Sequence, residues 1–233
     1  MAMISKRLEE TTDTLLTRLY GQIMAHDFGW AADAYIFSMS EDPDDLSQWR
    51  GYARDGQGFT VGFCGHDIFV ASEPDEAPFG FVQVEYDEER QLEPFRGSLA
   101  ELEACLRRGA ATPNADLARL TEGAASWFGW IVANLSSKNK HKSFHGEREW
   151  RVVSKVYQGT DDPNVRVRAS GARLVRYLEL PLGIGGDGKL PIKKIGIGPG
   201  FPESEERHAV EALCKETKYH VDIYSADTPY RRL

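Results

Sequence analysis

The sequence predicts an α+β fold with mixed, mostly antiparallel sheets. An amphipathic helical pattern opens the chain, two long helical patterns form a central insertion, and short β-favouring runs lie on both sides of that insertion. Strands and helices do not alternate regularly, as a doubly wound parallel sheet would require. No repeat or linker divides the chain, so residues 1–233 are expected to form a single domain.

The composition is that of an ordinary globular protein, with 41% hydrophobic and 27% charged residues. A formal net charge of -8 repels polyanions, so nucleic acid is not an expected partner, and any polyanion would need a local basic patch. No apolar run reaches the roughly 20 residues that cross a bilayer, and no secretion signal opens the chain. We therefore expect a cytoplasmic protein without a membrane partner. Three scattered cysteines, without a CxxC pair, fit reduced thiols and argue against a metal site.

Apolar residues on helical spacing predict an opening helix over residues 4–26. A short helix is predicted through Leu46, Trp49 and Tyr52, after a turn in which Asp44 or Asp45 can act as the N-cap. Strands are predicted at 35–40, 59–64, 79–86, 149–157, 165–169, 175–180, 193–198 and 220–224.

The central insertion is predicted to contain two helices. The first is expected to start near Ser98, because Glu101 follows three residues later as in a capping box. The second is predicted over 114–139. A further helix over 204–218 and the last strand form a C-terminal helix-strand unit.

Two carboxylates, Glu147 and Glu149, directly precede a β-favouring run. Strand periodicity predicts that they share one face, with Arg148 and Trp150 on the other. One carboxylate could polarise a nucleophile while the other stabilises a developing cation. The alternative is that both are solvated acids paired with neighbouring basic residues.

Ser38 and Ser40 share one face of their predicted strand, opposite Phe37 and Met39. Paired hydroxyls at a strand end can hold a ribose or a phosphate, or orient a carboxylate. Ordinary polar alternation at a sheet edge is the simpler interpretation of the same pattern.

Two tryptophans are expected to be structural. Trp49 shares a helix face with an aromatic residue three positions later, a spacing typical of core positions, so we expect it to be buried. Arg50 points elsewhere and could contact an anion.

A basic cluster precedes the carboxylates, and it is usual for such a cluster to be a solvated helix end stabilised by the helix dipole. It could also attract a phosphate-bearing ligand, whereas a metal site lacks a third ligand. The cluster comprises Lys138, Lys140, His141, Lys142 and His145. The glycine-rich run Gly183–Gly188 lies between two predicted strands and opens no helix, which favours a hairpin over a dinucleotide fingerprint.

Several blocks, taken in order, resemble one family. They are Phe37–Glu41, Asp45–Tyr52, Gly58 with Gly62-Phe63, Lys140–Phe144, Glu147–Arg151, Ile195–Pro199 and Ser225 to Arg231. Together they resemble a bacterial family of unknown function, domain-of-unknown-function family two-nine-seven-one.

The general layout of that family looks like a divergent relative of the ADP-ribosyltransferase fold, whose members hold NAD and cleave its nicotinamide bond. By this resemblance Glu149 is the catalytic carboxylate and Glu147 is its companion in a Glu-x-Glu pair. The resemblance implies a cofactor side formed by Ser38, Ser40, Arg50 and Arg151. We expect the two glutamates and the two serines to line one concave surface.

The leading hypothesis is an ADP-ribosyltransferase-like protein, a toxin or defence component, with NAD as co-substrate and no tightly bound cofactor. The alternative is a non-catalytic member that binds a nucleotide, peptide or partner protein in the same cleft. A nucleic-acid module using the 138–142 patch is the third option. The identity of a macromolecular acceptor does not follow from the sequence.

The family pattern usually starts with a His-Tyr-Thr-like strand and an Asn-Asp segment ahead of the serine strand. Before Tyr35 this chain offers an amphipathic helix and a single histidine, His26, at its end. We therefore expect weak NAD binding, with a dissociation constant of about millimolar or weaker. This corresponds to a binding free energy of at most about 4 kcal/mol.

Overall fold

The computed structural model describes residues 1–25, 32–72, 79–157, 162–180 and 188–230. The α-helices in these ranges are α1 (Ala2–Glu10), α2 (Thr14–Ala25), α3 (Leu46–Tyr52), α4 (Gly65–Ser72), α5 (Glu88–Ala110), α6 (Leu117–Ser136) and α7 (Glu203–Thr217). The strands are β1 (Ala32–Ser40), β2 (Phe59–Phe63), β3 (Gly80–Gln83), β4 (Glu149–Tyr157), β5 (Val165–Ser170), β6 (Arg173–Leu178), β7 (Ile192–Ile197) and β8 (Asp222–Ser225). This mixture of helices and largely antiparallel sheets confirms the α+β class.

The chain divides into two compact units, each built from separate stretches of sequence. Unit 1 takes Met1–Ile36, Gln83–His145 and Val153–Pro163, as far as these are described. Unit 2 takes the described residues of 37–82, 146–152 and 164–230. The expectation of a single domain over 1–233 stays a prediction.

The predicted opening helix is in fact two helices, α1 and α2. Thr11 ends α1 in an extended conformation, and Asp13 caps α2 by accepting the backbone N–H groups of Leu15 and Leu16 at 2.9 and 3.3 Å. An aspartate stabilises a helix more as its N-cap than within it, so the polar run that contains Asp13 breaks the apolar periodicity.

The predicted start of the first central helix at Ser98 is wrong. Helix α5 begins about three turns earlier, where the Asp87 side chain accepts the backbone N–H of Arg90 at 2.9 Å. Ser98 and Glu101 lie inside the helix. The second central helix, α6, lies within its predicted range and is capped by Asp116, whose side chain accepts two backbone N–H groups.

Unit 1 is a helical bundle of α1, α2, α5 and α6. Its core consists of Ile4, Leu16, Leu19, Tyr20, Ile23, Leu99, Leu102, Leu106, Ala124, Ala125 and Phe128. The Tyr20 hydroxyl donates to Glu103 at 2.6 Å, and Arg7 donates to the same carboxylate at 2.9 Å. Burial, followed by the bond to Glu103, raises the pKa of Tyr20. The Tyr20 hydroxyl is thus held by Glu103 at the edge of an otherwise apolar core.

Unit 2 contains two sheets of its own. In the first, β7 lies between β2, which is antiparallel to it, and β8, which is parallel to it. The strands β7 and β8 are joined through α7, the crossover that parallel neighbours require. The second is an antiparallel hairpin of β5 and β6.

The third sheet has the order β1-β4-β3. Within unit 2, its residues Met39, Phe81 and Val152 belong to an apolar cluster with Ile68 and Phe79. Among the described residues, no helix is both long and apolar enough to cross a membrane.

Candidate functional site

The first residues of β4 hold an ion pair that is almost fully buried. Glu149 is 4% exposed and Arg151 is 9% exposed. The Arg151 Nε donates to Glu149 Oε1 at 2.9 Å and Nη2 donates to Oε2 at 3.1 Å. The pair is therefore bidentate, the geometry in which a guanidinium fixes the orientation of a carboxylate most firmly.

The two predicted serines lie on the same face of the sheet as this ion pair. Strands β1 and β4 are neighbours, and Met39 and Val152 both pack into the apolar cluster around Ile68. Because successive side chains of a strand alternate, the residues next to Met39 and next to Val152 point to the other side of the sheet. We call this set the polar face: Ser38, Ser40, Glu149 and Arg151.

The two hydroxyls of the polar face differ in their surroundings. Ser38 is exposed, whereas Ser40 is half-buried. The Ser40 Oγ accepts the backbone N–H of Asp42 at 3.1 Å, so it helps to turn the chain after β1. Ser38 is therefore the more accessible of the two hydroxyls.

Glu147 differs from Glu149 in its local structure. It ends a 3-10 helix, Lys142–Glu147, and Arg148 then adopts φ 45° before β4 starts. The two-residue alternation that predicted a shared face applies only within a strand, and here the strand starts at Glu149. The structure thus gives that part of the prediction no support, and Glu147 is half-buried.

Glu41, which the sequence interpretation left without a role, is a central residue of this region. Its carboxylate accepts Arg148 Nη2 at 3.1 Å and Trp150 Nε1 at 2.7 Å. Its backbone N–H donates to the Arg148 carbonyl oxygen at 3.1 Å. Glu41 therefore fastens the end of β1 to the start of β4. The available signal was its place beside the serines in the Phe37–Glu41 block.

The two tryptophans fulfil the structural expectation to different degrees. Trp49 is 1% exposed, which confirms its predicted burial. Trp150 stacks on Phe81 with ring centroids 4.8 Å apart but is only half-buried. The reason is its position at the start of β4, where its indole nitrogen reaches the partly exposed Glu41.

Arg50, the remaining predicted cofactor contact, is exposed on α3. Its guanidinium lies 5.9 Å from the centroid of the Tyr230 ring, a cation–π arrangement. The structure thus associates Arg50 with the C-terminal segment. An anion contact by Arg50 stays a prediction.

Asp44 ties the turn after β1 to the same C-terminal segment. One carboxylate oxygen accepts Trp49 Nε1 at 2.7 Å, and the other accepts the backbone N–H groups of Asp227 and Thr228 at 2.8 and 3.0 Å. The N-cap of α3 is Asp45, whose side chain accepts the backbone N–H of Gln48 at 3.0 Å. Of the two candidate N-caps, Asp45 is therefore the cap, and Asp44 accepts the Trp49 indole N–H instead.

Two glycine blocks of the family pattern meet backbone to backbone. The Gly198 N–H donates to the Gly58 carbonyl at 2.9 Å, and the Gly200 N–H donates to the Gly56 carbonyl at 3.0 Å. A Cβ on Gly198 would overlap the Gly56 carbonyl oxygen, and Gly56 itself has φ 81°. These glycines are needed for close approach rather than for a phosphate loop. The run Gly183–Asp187 lies outside the described residues, and so does His26.

The basic cluster belongs to unit 1, whereas the polar face belongs to unit 2. The Lys140 Nζ lies 4.9 Å from the Phe144 ring centroid, and the His145 ring meets that of Tyr86 edge-on. A role of this cluster in gathering a phosphate-bearing ligand stays a prediction. Within the described ranges, no three His, Cys, Asp or Glu side chains form a group that could hold a metal ion.

Comparison with known proteins finds one family. The model described as "Protein of unknown function (DUF2971)" matches residues 48–152. This stretch contains Trp49, the Lys140–Phe144 block and the Glu147–Arg151 block, so the family resemblance is confirmed there. No curated protein and no solved structure matches the chain.

Proposed function

We propose that this chain, similar to that family over residues 48–152, is an ADP-ribosyltransferase-like protein whose NAD site is the polar face. The observation that supports the proposal is the Glu149 carboxylate at the start of β4. It is buried, and Arg151 holds it in one orientation. Burying an ion pair costs desolvation energy that its attraction barely offsets. Such a pair beside two hydroxyls therefore fits a site better than a device for stability.

In the proposed reaction the bond between ribose C1′ and the nicotinamide nitrogen breaks, and its electron pair leaves with neutral nicotinamide. The ribose carbon becomes oxocarbenium-like, and an acceptor nucleophile forms the new bond and releases its proton to Glu149 or to solvent. The negative charge of Glu149 would stabilise the developing cation, and Arg151 would keep the carboxylate in place. The exposed Ser38 hydroxyl is the group best placed to bind a ribose oxygen.

The same ion pair also favours a second function. Both carboxylate oxygens of Glu149 accept N–H groups from Arg151, which offsets the negative charge that the reaction would need. A non-catalytic member that binds a nucleotide, a peptide or a partner protein on the polar face would keep this pair unchanged.

Release of nicotinamide from NAD tests the first function. The wild-type chain is incubated with NAD at several millimolar, and nicotinamide is quantified by chromatography. In Glu149→Gln the rate should fall by about 10²–10⁴-fold, the usual effect of losing a positioned acid-base group. Glu122→Gln is the matched control, because it makes the same change at an exposed carboxylate on α6, and its rate should stay within about threefold of wild type.

The Gln variant leaves a buried guanidinium without its anionic partner, so thermal unfolding is measured on the same preparation. A folded Glu149→Gln that releases nicotinamide as fast as wild type would remove Glu149 from the mechanism. No release by the folded wild-type chain would overturn the transferase proposal. Calorimetry with ADP-ribose then decides on the second function, where binding should weaken in Ser38→Ala.

The toxin or defence role and the cytoplasmic location belong to the same proposal, because the reaction consumes cytoplasmic NAD. Expression of the wild-type chain in bacteria should slow growth, and Glu149→Gln should relieve that effect at equal protein level. Equal growth inhibition by both forms would argue against a toxin that acts through NAD.

A further inference from the structure

The β5–β6 hairpin concentrates positive charge that the acidic chain as a whole lacks. Between Val165 and Leu178 there are four arginines and no acidic residue, in a chain of net charge -8. They are Arg166, Arg168, Arg173 and Arg176. The expectation that nucleic acid is not a partner rested on the net charge, and it left room for a local basic patch of this kind.

Strand register assigns three of these arginines to one face of the hairpin. Arg166 pairs with Tyr177, Arg168 with Val175 and Ser170 with Arg173. Residues directly opposite each other share a face, and so do alternate residues of one strand. We call this set the basic face: Arg166, Arg168, Ser170, Arg173, Val175 and Tyr177.

Contacts within the basic face hold part of it in place. The Arg168 guanidinium lies 5.7 Å from the Tyr177 ring centroid, which orients a long side chain across the strands. Arg166 lies 3.5 Å from the Glu179 carboxylate, an exposed pair that bulk salt and water weaken. Arg168 and Arg173 are exposed. The face is thus an accessible cationic surface supported by one aromatic ring.

The opposite face of the hairpin is mostly apolar, with Arg176 opposite Val167, and it is also open. Val167 is 60% exposed and Leu174 is 79% exposed. The hairpin therefore does not use its arginines to cover a core. An antiparallel hairpin that is exposed on both faces gains little stability from burial, so its charge pattern needs another explanation.

We propose that the β5–β6 hairpin is a binding site for double-stranded DNA, with the basic face toward the phosphates. A two-stranded ribbon has the width that the major groove of B-form DNA admits. Alternate residues of a strand lie about 7 Å apart, close to the axial rise of about two nucleotides on one DNA strand. Arginine suits phosphate because its planar fork of N–H donors can bind two oxygens at once. This inference does not depend on the NAD site.

The test is fluorescence anisotropy of a labelled 20-base-pair DNA duplex with the full chain at 50 and 200 mM KCl. Three arginine–phosphate contacts predict a slope of about -2.7 in log K against log salt, or about a 40-fold loss of affinity between these concentrations. Arg168→Gln with Arg173→Gln should lower the slope to about -0.9, which is a loss of only about 3- to 4-fold over the same range. A double-stranded RNA of equal length should bind more weakly, because its deep, narrow major groove excludes the ribbon.

Two controls separate the basic face from general charge and from the apolar face. Arg119→Gln removes an exposed arginine on α6 and should leave the slope unchanged. Val167→Thr changes the apolar face of the same hairpin and should also leave it unchanged. Circular dichroism verifies that each variant is folded, and Arg168→Gln alone replaces the double variant if that one unfolds.

A slope that the arginine variants do not change would overturn the proposal. So would binding to phosphatidylserine vesicles that exceeds binding to the duplex, since the basic face would then be a membrane contact. Elution as a dimer that Val167→Thr converts to a monomer, without any binding to the duplex, would assign the hairpin to self-association instead.

Discussion

Replacing Asp44 by alanine should destabilise unit 2 far more than an exposed turn residue normally would. The substitution removes the acceptor of three N–H groups: the indole of Trp49 and the backbone amides of Asp227 and Thr228. The indole belongs to a ring that is 1% exposed, so water cannot easily replace the lost acceptor.

The expected cost follows from these three bonds. A buried donor left without a partner costs about 1–3 kcal/mol, and a backbone amide that can turn to water costs about 0.5–1 kcal/mol. The sum is about 3 kcal/mol, which for a chain of this length lowers the unfolding midpoint by roughly 6–12 °C. Asp45→Ala is the matched control, because it removes only the N-cap of α3 and should cost about 1 kcal/mol.

A double-mutant cycle with Trp49→Phe isolates the indole bond, since phenylalanine keeps a ring but lacks the N–H. Urea unfolding of the four proteins, followed by tryptophan fluorescence and circular dichroism, should give a coupling free energy of about 1–3 kcal/mol between Asp44 and Trp49. A coupling near zero, or an Asp44→Ala cost no larger than that of Asp45→Ala, would refute this account of the turn.

Two further predictions concern the N-cap Asp45 and the two tryptophans. The hydrogen bond from the Ser47 hydroxyl holds the pKa of Asp45 below its usual 3.8, burial opposes this, and the backbone N–H of Gln48 adds to the lowering. Because the folded-state pKa is the lower one, the stability that Asp45 contributes is full above pH 3.8 and is lost as the pH falls through the folded pKa. The difference in unfolding midpoint between wild type and Asp45→Asn should therefore be constant near pH 6 and should shrink below pH 3.8, and a gap that widens in acid would contradict the sign. Trp49→Ala should lower the free energy of unfolding in urea by about 3–5 kcal/mol, and Trp150→Ala should lower it by about 1–3 kcal/mol. Equal losses would mean that the exposure of the ring does not determine its contribution to stability.

Periodic segments of the sequence predicted their own structures well. Strand β4 was predicted with the bounds that it has, and α7 was predicted within one residue at each end. Both segments combine a regular apolar pattern with clear flanking signals, so local preference and tertiary packing agree. The α+β class follows from the order of such segments.

Capping aspartates caused the errors in helix bounds. Asp13 splits one apparent helix, and Asp87 starts α5 about three turns before the pattern at Ser98. An aspartate can cap a helix, start a turn or remain on the surface, and the choice depends on whether nearby backbone N–H groups lack partners. A single sequence does not contain that information.

The candidate site was predictable where it depended on alternation within a strand. Ser38 and Ser40 lie within β1 and share a face, as the predicted alternation requires, and Glu149 and Arg151 share a face of β4. The pairing of Glu149 with Arg151 could have been proposed from their spacing alone. The role of Glu41 could not, because it depends on which strands are neighbours, and that contact joins residues 109 positions apart.

The bonds between Asp44 and Thr228 affect how the protein is made. Their partners are separated by 184 positions in the chain. At about 5–20 residues per second, a ribosome needs roughly 10–40 s to incorporate Thr228 after it has incorporated Asp44. During that interval Asp44 lacks its bonds to Asp227 and Thr228. The turn after β1 therefore gains its final set of hydrogen bonds only at the end of synthesis, when residues 227 and 228 have been added.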